Sequence, residues 1–85
     1  MIDTAKERVY SLSEFARELK KQRHLDRDSV TIAGWARIGC TPRGTNRSIK
    51  LETIDIVNVA HTSFEAFDRF IREQHEAKLA AEMAS

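Results

Sequence analysis

Thr31 and Arg37 are the side chains of this 85-residue chain best suited to chemistry on a ligand. They lie in "SVTIAGWARIG", residues 29–39, with Ala33 and Gly34 between them. On a helix these four positions fall away from Ile32 and Trp35. A threonine hydroxyl hydrogen-bonds a phosphate or a base, and an arginine pairs with a phosphate or forks onto guanine. Gly34 brings no side chain, so the backbone there is open to close approach. More cations follow: Arg43 and Arg47 in the loop "CTPRGTNRS" (40–48), and Lys50 just after it. Lys20 and Lys21, with Arg17, add charge on the helix before. Together they are suited to a polyanion, mostly through phosphate contacts that give affinity with little sequence choice.

Other chemistries find less support. His24, His61 and His75 are far apart in sequence. Cys40 stands beside Thr41 and Pro42 with no base indicated to activate it. "RGTN" is no phosphate loop, and so small a domain has little room for a deep pocket. No catalytic residue, metal site or cofactor is expected.

Helices must position these groups. "YSLSEFARELKKQR" opens with Ser11 followed three residues later by Glu14, the spacing of a capping box. Leu12, Phe15, Ala16 and Leu19 then share one helical stripe, which predicts a helix over 12–22. "RHLDRD" is a polar connector in which Asp28, or Ser29 after it, can cap a second helix over 30–38. Ile32 and Trp35, with Ala36 and Ile38, form its inward stripe, and Gly39 is placed to end it in a left-handed conformation.

Pro42 and Gly44 break the next segment into a loop. "IKLETIDIVNVAHT" is β-branched and strand-like. Ile54 and Ile56 share a face, while Ile49 and Leu51 have the opposite phase, so a bulge or bend near Glu52–Thr53 is expected. Val57–Asn58 is the predicted hairpin turn, although only Asn suits positive φ. Thr62 or Ser63 opens a last helix with Phe64, Phe67, Phe70 and Ile71 inward. After Gln74 the apolar pattern fades. Residues 1–74 thus read as one domain, and 75–85 as a helical or frayed tail. The first eight residues look extended. The predicted core is Leu12, Phe15, Leu19, Ile32, Trp35, Leu51, Ile54, Phe67 and Ile71.

Hydrophobic residues make up 41% and charged residues 32% of the chain, the balance of a soluble globular domain. No apolar run of about eighteen residues is present, so no membrane span is expected. The N-terminus lacks the apolar stretch of a secretory signal. A single cysteine fits a reducing cytoplasm. Residues 1–50 hold eleven Lys/Arg against six Asp/Glu, and residues 51–85 hold three against seven. The first part is therefore the one to meet a polyanion.

Four motifs, "SLSE" (11–14), Thr31-Ile32 with Trp35-Ala36, "LETI" (51–54) and Thr62-Ser63, carry a resemblance over about residues 1–73. The chain resembles a family of short bacterial proteins known as a domain of unknown function. That family is in turn similar to excisionase and MerR-type winged helix-turn-helix domains. The resemblance implies an α+β, mainly α fold: helix, helix, two-stranded β-hairpin wing, C-terminal helix. It implies double-stranded DNA as partner, contacted by the second helix and the wing. The departures fall on the contact positions. Ala33 and Gly34 stand where the family has an aromatic residue and an arginine, and Val57-Asn58-Val59-Ala60 replaces a Gly-Gly turn with basic neighbours.

The expected function is DNA binding, as a small regulator or recombination accessory factor. Thr31, Arg37, Arg43, Arg47, Lys50, Lys20 and Lys21 are the expected contacts. The rival expectation is a protein-interaction module that uses the apolar hairpin tip, or a homodimer through the C-terminal helix.

Overall fold

Each helix of the computed structural model begins where the sequence offers a cap. The structure describes residues 2–42 and 44–84. Strand β1, Val9–Ser11, runs straight into helix α1, Leu12–Arg23. The Ser11 hydroxyl accepts from the Glu14 N–H at 3.3 Å, and the Glu14 carboxylate accepts from the Ser11 N–H, which completes the capping box. His24 ends α1 at φ 55. Helix α2, Ser29–Arg37, starts at Asp28, whose carboxylate accepts from the Thr31 N–H at 2.8 Å. Strands β2, Ile54–Ile56, and β3, Val59–Ser63, lead into helix α3, Phe64–Ala84.

The sheet is antiparallel in the order β1-β3-β2. It therefore has one strand more than the predicted hairpin. Three residues, "VYS", are too short for alternation to show. Their pairing partner, Ser63, lies 54 positions away from Val9, and this pairing places β1 along the second edge of β3. Ile49 and Leu51 do not share a strand with Ile54. Ile49 forms an isolated bridge with Cys40, and the Leu51 N–H donates to the Trp35 carbonyl at 3.0 Å. The expected change of phase is thus resolved outside the sheet: residues 49–51 pack beneath α2 before the hairpin begins.

The core gathers Phe15, Leu19, Ile32, Ile49, Leu51, Phe67 and Phe70, with Trp35 and Phe64 packed against it. The Trp35 ring lies 5.7 Å from that of Phe70 and 6.1 Å from that of Phe67. Three residues predicted to face inward differ. Ile54 is half-buried and lies outside this cluster. Ile71 is 47% exposed, and its neighbour Phe70 takes the inward position. Ile38 is 76% exposed, because it follows the last turn of α2 and lies well around the axis from Ile32. Residues 2–8 are not extended throughout, contrary to the expectation from the sequence. Asp3 accepts the Lys6 and Glu7 N–H groups in a tight turn, and Ile2 is buried. Helix α3 runs unbroken through residue 84. Ala77 packs on the core, and a methyl group at Gly44 would sit 3.8 Å from Ala81, so Gly44 lies beside the second half of α3.

Val57 and Asn58 form the hairpin turn at φ 51 and φ 62. Both residues are left-handed, as a two-residue primed turn requires. For β-branched Val57 this conformation is an outlier, costing about 1–2 kcal/mol. Replacing Val57→Asn together with Asn58→Gly is expected to raise stability by about 1 kcal/mol, or about 4–8 °C in a melting curve. A lower melting temperature would show that the tip side chains hold the turn.

Candidate nucleic-acid interface

Helix α2 is held from behind by Ile32, which is fully buried, and by Trp35 on the phenylalanines of α3. Its other side carries Val30, Gly34 and Arg37, with Thr31 and Ile38 on one flank. Thr31 and Arg37 are both exposed. Val30 and Ile38 are each 76% exposed. A methyl group built on Gly34 would meet nothing within 4 Å. No packing contact therefore requires glycine there, and the backbone at the middle of α2 is open.

Gly39 shapes the end of this helix. It adopts φ +87, and its N–H joins that of Ile38 on the Gly34 carbonyl at 3.1 and 2.8 Å. The chain then turns back, and the Ser48 hydroxyl donates to the Ile38 carbonyl at 2.8 Å. The Lys50 stem runs beside Gly39: its Cγ is 3.0 Å from where a Gly39 Cβ would sit. Lys50 thereby reaches the same end of α2 as Arg37, although thirteen positions separate them in sequence. Among the described residues, no ion pair involves either cation. The N-terminal end of α2 has the opposite character. Asp26 and Asp28 are exposed there, and hydrogen bonds from Thr31 hold the Asp28 carboxyl below the usual carboxylate range.

The other expected contacts are dispersed. Arg47 lines a groove of about 270 Å³ together with Glu73, Glu76, Ala77 and Ala80 of α3, so it shares its surroundings with two carboxylates. Lys20 lies 3.9 Å from Asp26. Lys21 lines a different groove, of about 380 Å³, between β1 and α1, with Arg8, Arg17 and Tyr10. Arg43 lies outside the described residues. Of the seven expected residues, the structure brings together Thr31, Arg37 and Lys50 around α2. Val30 and Ile38 were missed as part of this face. Their signal was present in the four-residue spacing of 30, 34 and 38, opposite Ile32.

The β2–β3 hairpin offers no cation. Its charged residue is Asp55, and its tip is apolar, with Val57 89% and Val59 49% exposed.

The motifs behind the family resemblance have partners inside the fold. Thr62 and Ser63 are fully buried. The Thr62 hydroxyl donates to the Glu52 carbonyl at 2.9 Å. The Ser63 hydroxyl accepts from the Ala66 N–H at 3.0 Å, capping α3, and donates to Glu7 at 2.6 Å. Arg69 completes this network with Glu52 at 3.2 Å and Glu7 at 3.5 Å. The Glu7 carboxyl is held low first by the Ser63 hydroxyl and further by Arg69. Cys40 exchanges two backbone hydrogen bonds of 2.8 Å with Ile49 and packs on the core.

No group of three or more His, Cys, Asp or Glu side chains that could hold a metal occurs among the described residues, and no described helix is long and apolar enough to cross a membrane. Comparisons with known protein families, with curated proteins and with solved structures return no match to this chain.

Proposed function

We propose that this protein is a small DNA-binding domain of winged helix-turn-helix type, similar in layout to excisionase domains, acting as a regulator or recombination accessory factor. The observation that carries this reading is α2: a short helix anchored from behind by Ile32 and Trp35, open along its outer side, and ending at two cations that form no ion pair among the described residues. A helix presented in this way fits the major groove, and the strands that follow it occupy the place of a wing. Arg37 and Lys50 meet phosphates, and Thr31 hydrogen-bonds a phosphate or a base edge. The hairpin, which carries Asp55 and no lysine or arginine, contributes little to affinity.

Binding of a labelled 20-base-pair duplex, followed by fluorescence anisotropy, tests the reading. Affinity should fall steeply between 50 and 200 mM salt, because neutralised phosphates release counterions, by about 0.9 log units per log unit of salt for each contact. Absence of binding at the lower salt would end the proposal.

A second reading rests on the hairpin tip. Val57 is strained and almost fully exposed, an arrangement that costs stability and exposes apolar surface. In this reading the domain keeps its fold and uses the tip to meet another protein. The exposed Leu79 and Met83 of α3 offer a further apolar surface for self-association.

A further inference from the structure

We propose that the outer face of α2 reads thymine methyl groups in the major groove, through Val30 and Ile38 on either side of the open backbone at Gly34; this rests on the DNA-binding reading above. Three observations carry it. First, the two largest apolar side chains at the ends of α2 are not in the core: each is 76% exposed. Second, Gly34 lies between them with empty space where a side chain would stand. A bare centre lets the helix axis come closer to base edges than any side chain there would permit. Third, the C-terminal rim is cationic, with Arg37 and Lys50 free of carboxylates among the described residues.

Duplex DNA suits this surface better than a protein. Two side chains flanking a gap make too small an apolar area for a stable protein interface, which buries about 1,200–2,000 Å². The cations at the rim complement phosphate. Asp28 at the other end accepts from the Thr31 N–H, and with Asp26 it keeps phosphates away from the N-terminal end, which leaves the Thr31 hydroxyl a base edge rather than a phosphate. The helix is thereby oriented, with its C-terminal end toward a backbone strand.

The spacing also fits. Eight residues of helix rise about 12 Å, roughly three to four base steps of 3.4 Å. In the major groove, thymine presents a C5 methyl group that apolar side chains contact, whereas cytosine presents none. With few hydrogen-bonding side chains on this face, discrimination by methyl contact replaces discrimination by donor and acceptor pattern.

The test compares duplexes that differ in the methyl group alone. Alternating d(A-T) and d(A-U) duplexes of 20 base pairs have the same charge and pairing. Burying one methyl contributes about fourfold in affinity, so two contacts predict about fifteenfold tighter binding of d(A-T). Alternating d(G-C) with 5-methylcytosine should likewise bind more tightly than unmodified d(G-C). Val30→Ala with Ile38→Ala should erase both differences while leaving the salt dependence in place. Both positions are exposed and alanine favours helix, so this variant folds. Equal affinity for d(A-T) and d(A-U) would overturn the methyl reading and leave DNA binding intact. No binding to any of the four duplexes at 50 mM salt would overturn both.

Discussion

Gly39→Ala is expected to destabilise the protein by about 3 kcal/mol, while Gly34→Ala, five residues earlier, stabilises it by up to about 1 kcal/mol. At Gly39 two effects add. The backbone stands at φ +87, a conformation L side chains rarely adopt. A Cβ there would also fall 2.6 Å from the Ser48 Oγ, 2.7 Å from the Ile49 carbonyl oxygen and 3.0 Å from the Lys50 Cγ. Ile49 has little freedom to yield, because two hydrogen bonds tie its backbone to Cys40 and its side chain is in the core. At Gly34 the conformation is helical and the space is empty, so only the helix propensity of alanine remains. Urea unfolding of the two variants checks the pair. Equal effects of the same sign would contradict the turn that brings Lys50 to α2.

The second large effect is on binding. Removing both cations at the end of α2, Arg37→Ala with Lys50→Ala, is expected to lower the slope of log affinity against log salt by about 1.8. At 0.1 M salt that corresponds to a loss of about 60-fold in affinity for duplex DNA. Both side chains are exposed, so unfolding should not accompany the loss. Lys21→Ala should leave the slope unchanged, because Lys21 lies with Arg8 and Arg17 in the groove between β1 and α1. Lys20, near Asp26, should contribute less than Arg37. If the two lysines of α1 instead carried most of the slope, the interface would lie on α1.

These effects were unequally legible in the sequence. The role of Gly39 as the end of α2 could be read from its place after an apolar-periodic segment, because helix termination is local chemistry. The same holds for the Ser11–Glu14 box and for the cap of α2, read as Asp28 or Ser29 and found at Asp28. The Val57–Asn58 turn was also visible, even though valine opposes it. Its position was dictated by two β-branched runs that have to reverse direction between Ile56 and Val59. The site was less legible. Thr31 and Arg37 could be placed on α2, but four of the other five expected cations are carried by the fold to different surroundings or lie outside the described residues. Arg47 is the clearest case: nothing near it in sequence announces Glu73 and Glu76 across the groove.

By itself, the sequence determined the three helices, the cap of α1, the hairpin and its turn, and the inward faces of Phe15, Leu19, Ile32 and Trp35. Each depends on residues within about a turn or two of one another, where hydrogen-bonding groups and apolar periodicity act directly. Only the tertiary structure decided that β1 joins the sheet and that Phe70 is inside while Ile71 is out. It also decided that Ser63 caps α3 while bonding Glu7, 56 positions away. Lys50 meets the end of α2 for the same kind of reason. Such contacts depend on how elements dock once their apolar faces are buried together, and residue order does not record that docking. The outer face of α2 belongs to both: its residues are set by helical spacing, and its openness by the fact that none of the described residues packs over the place of a Gly34 side chain.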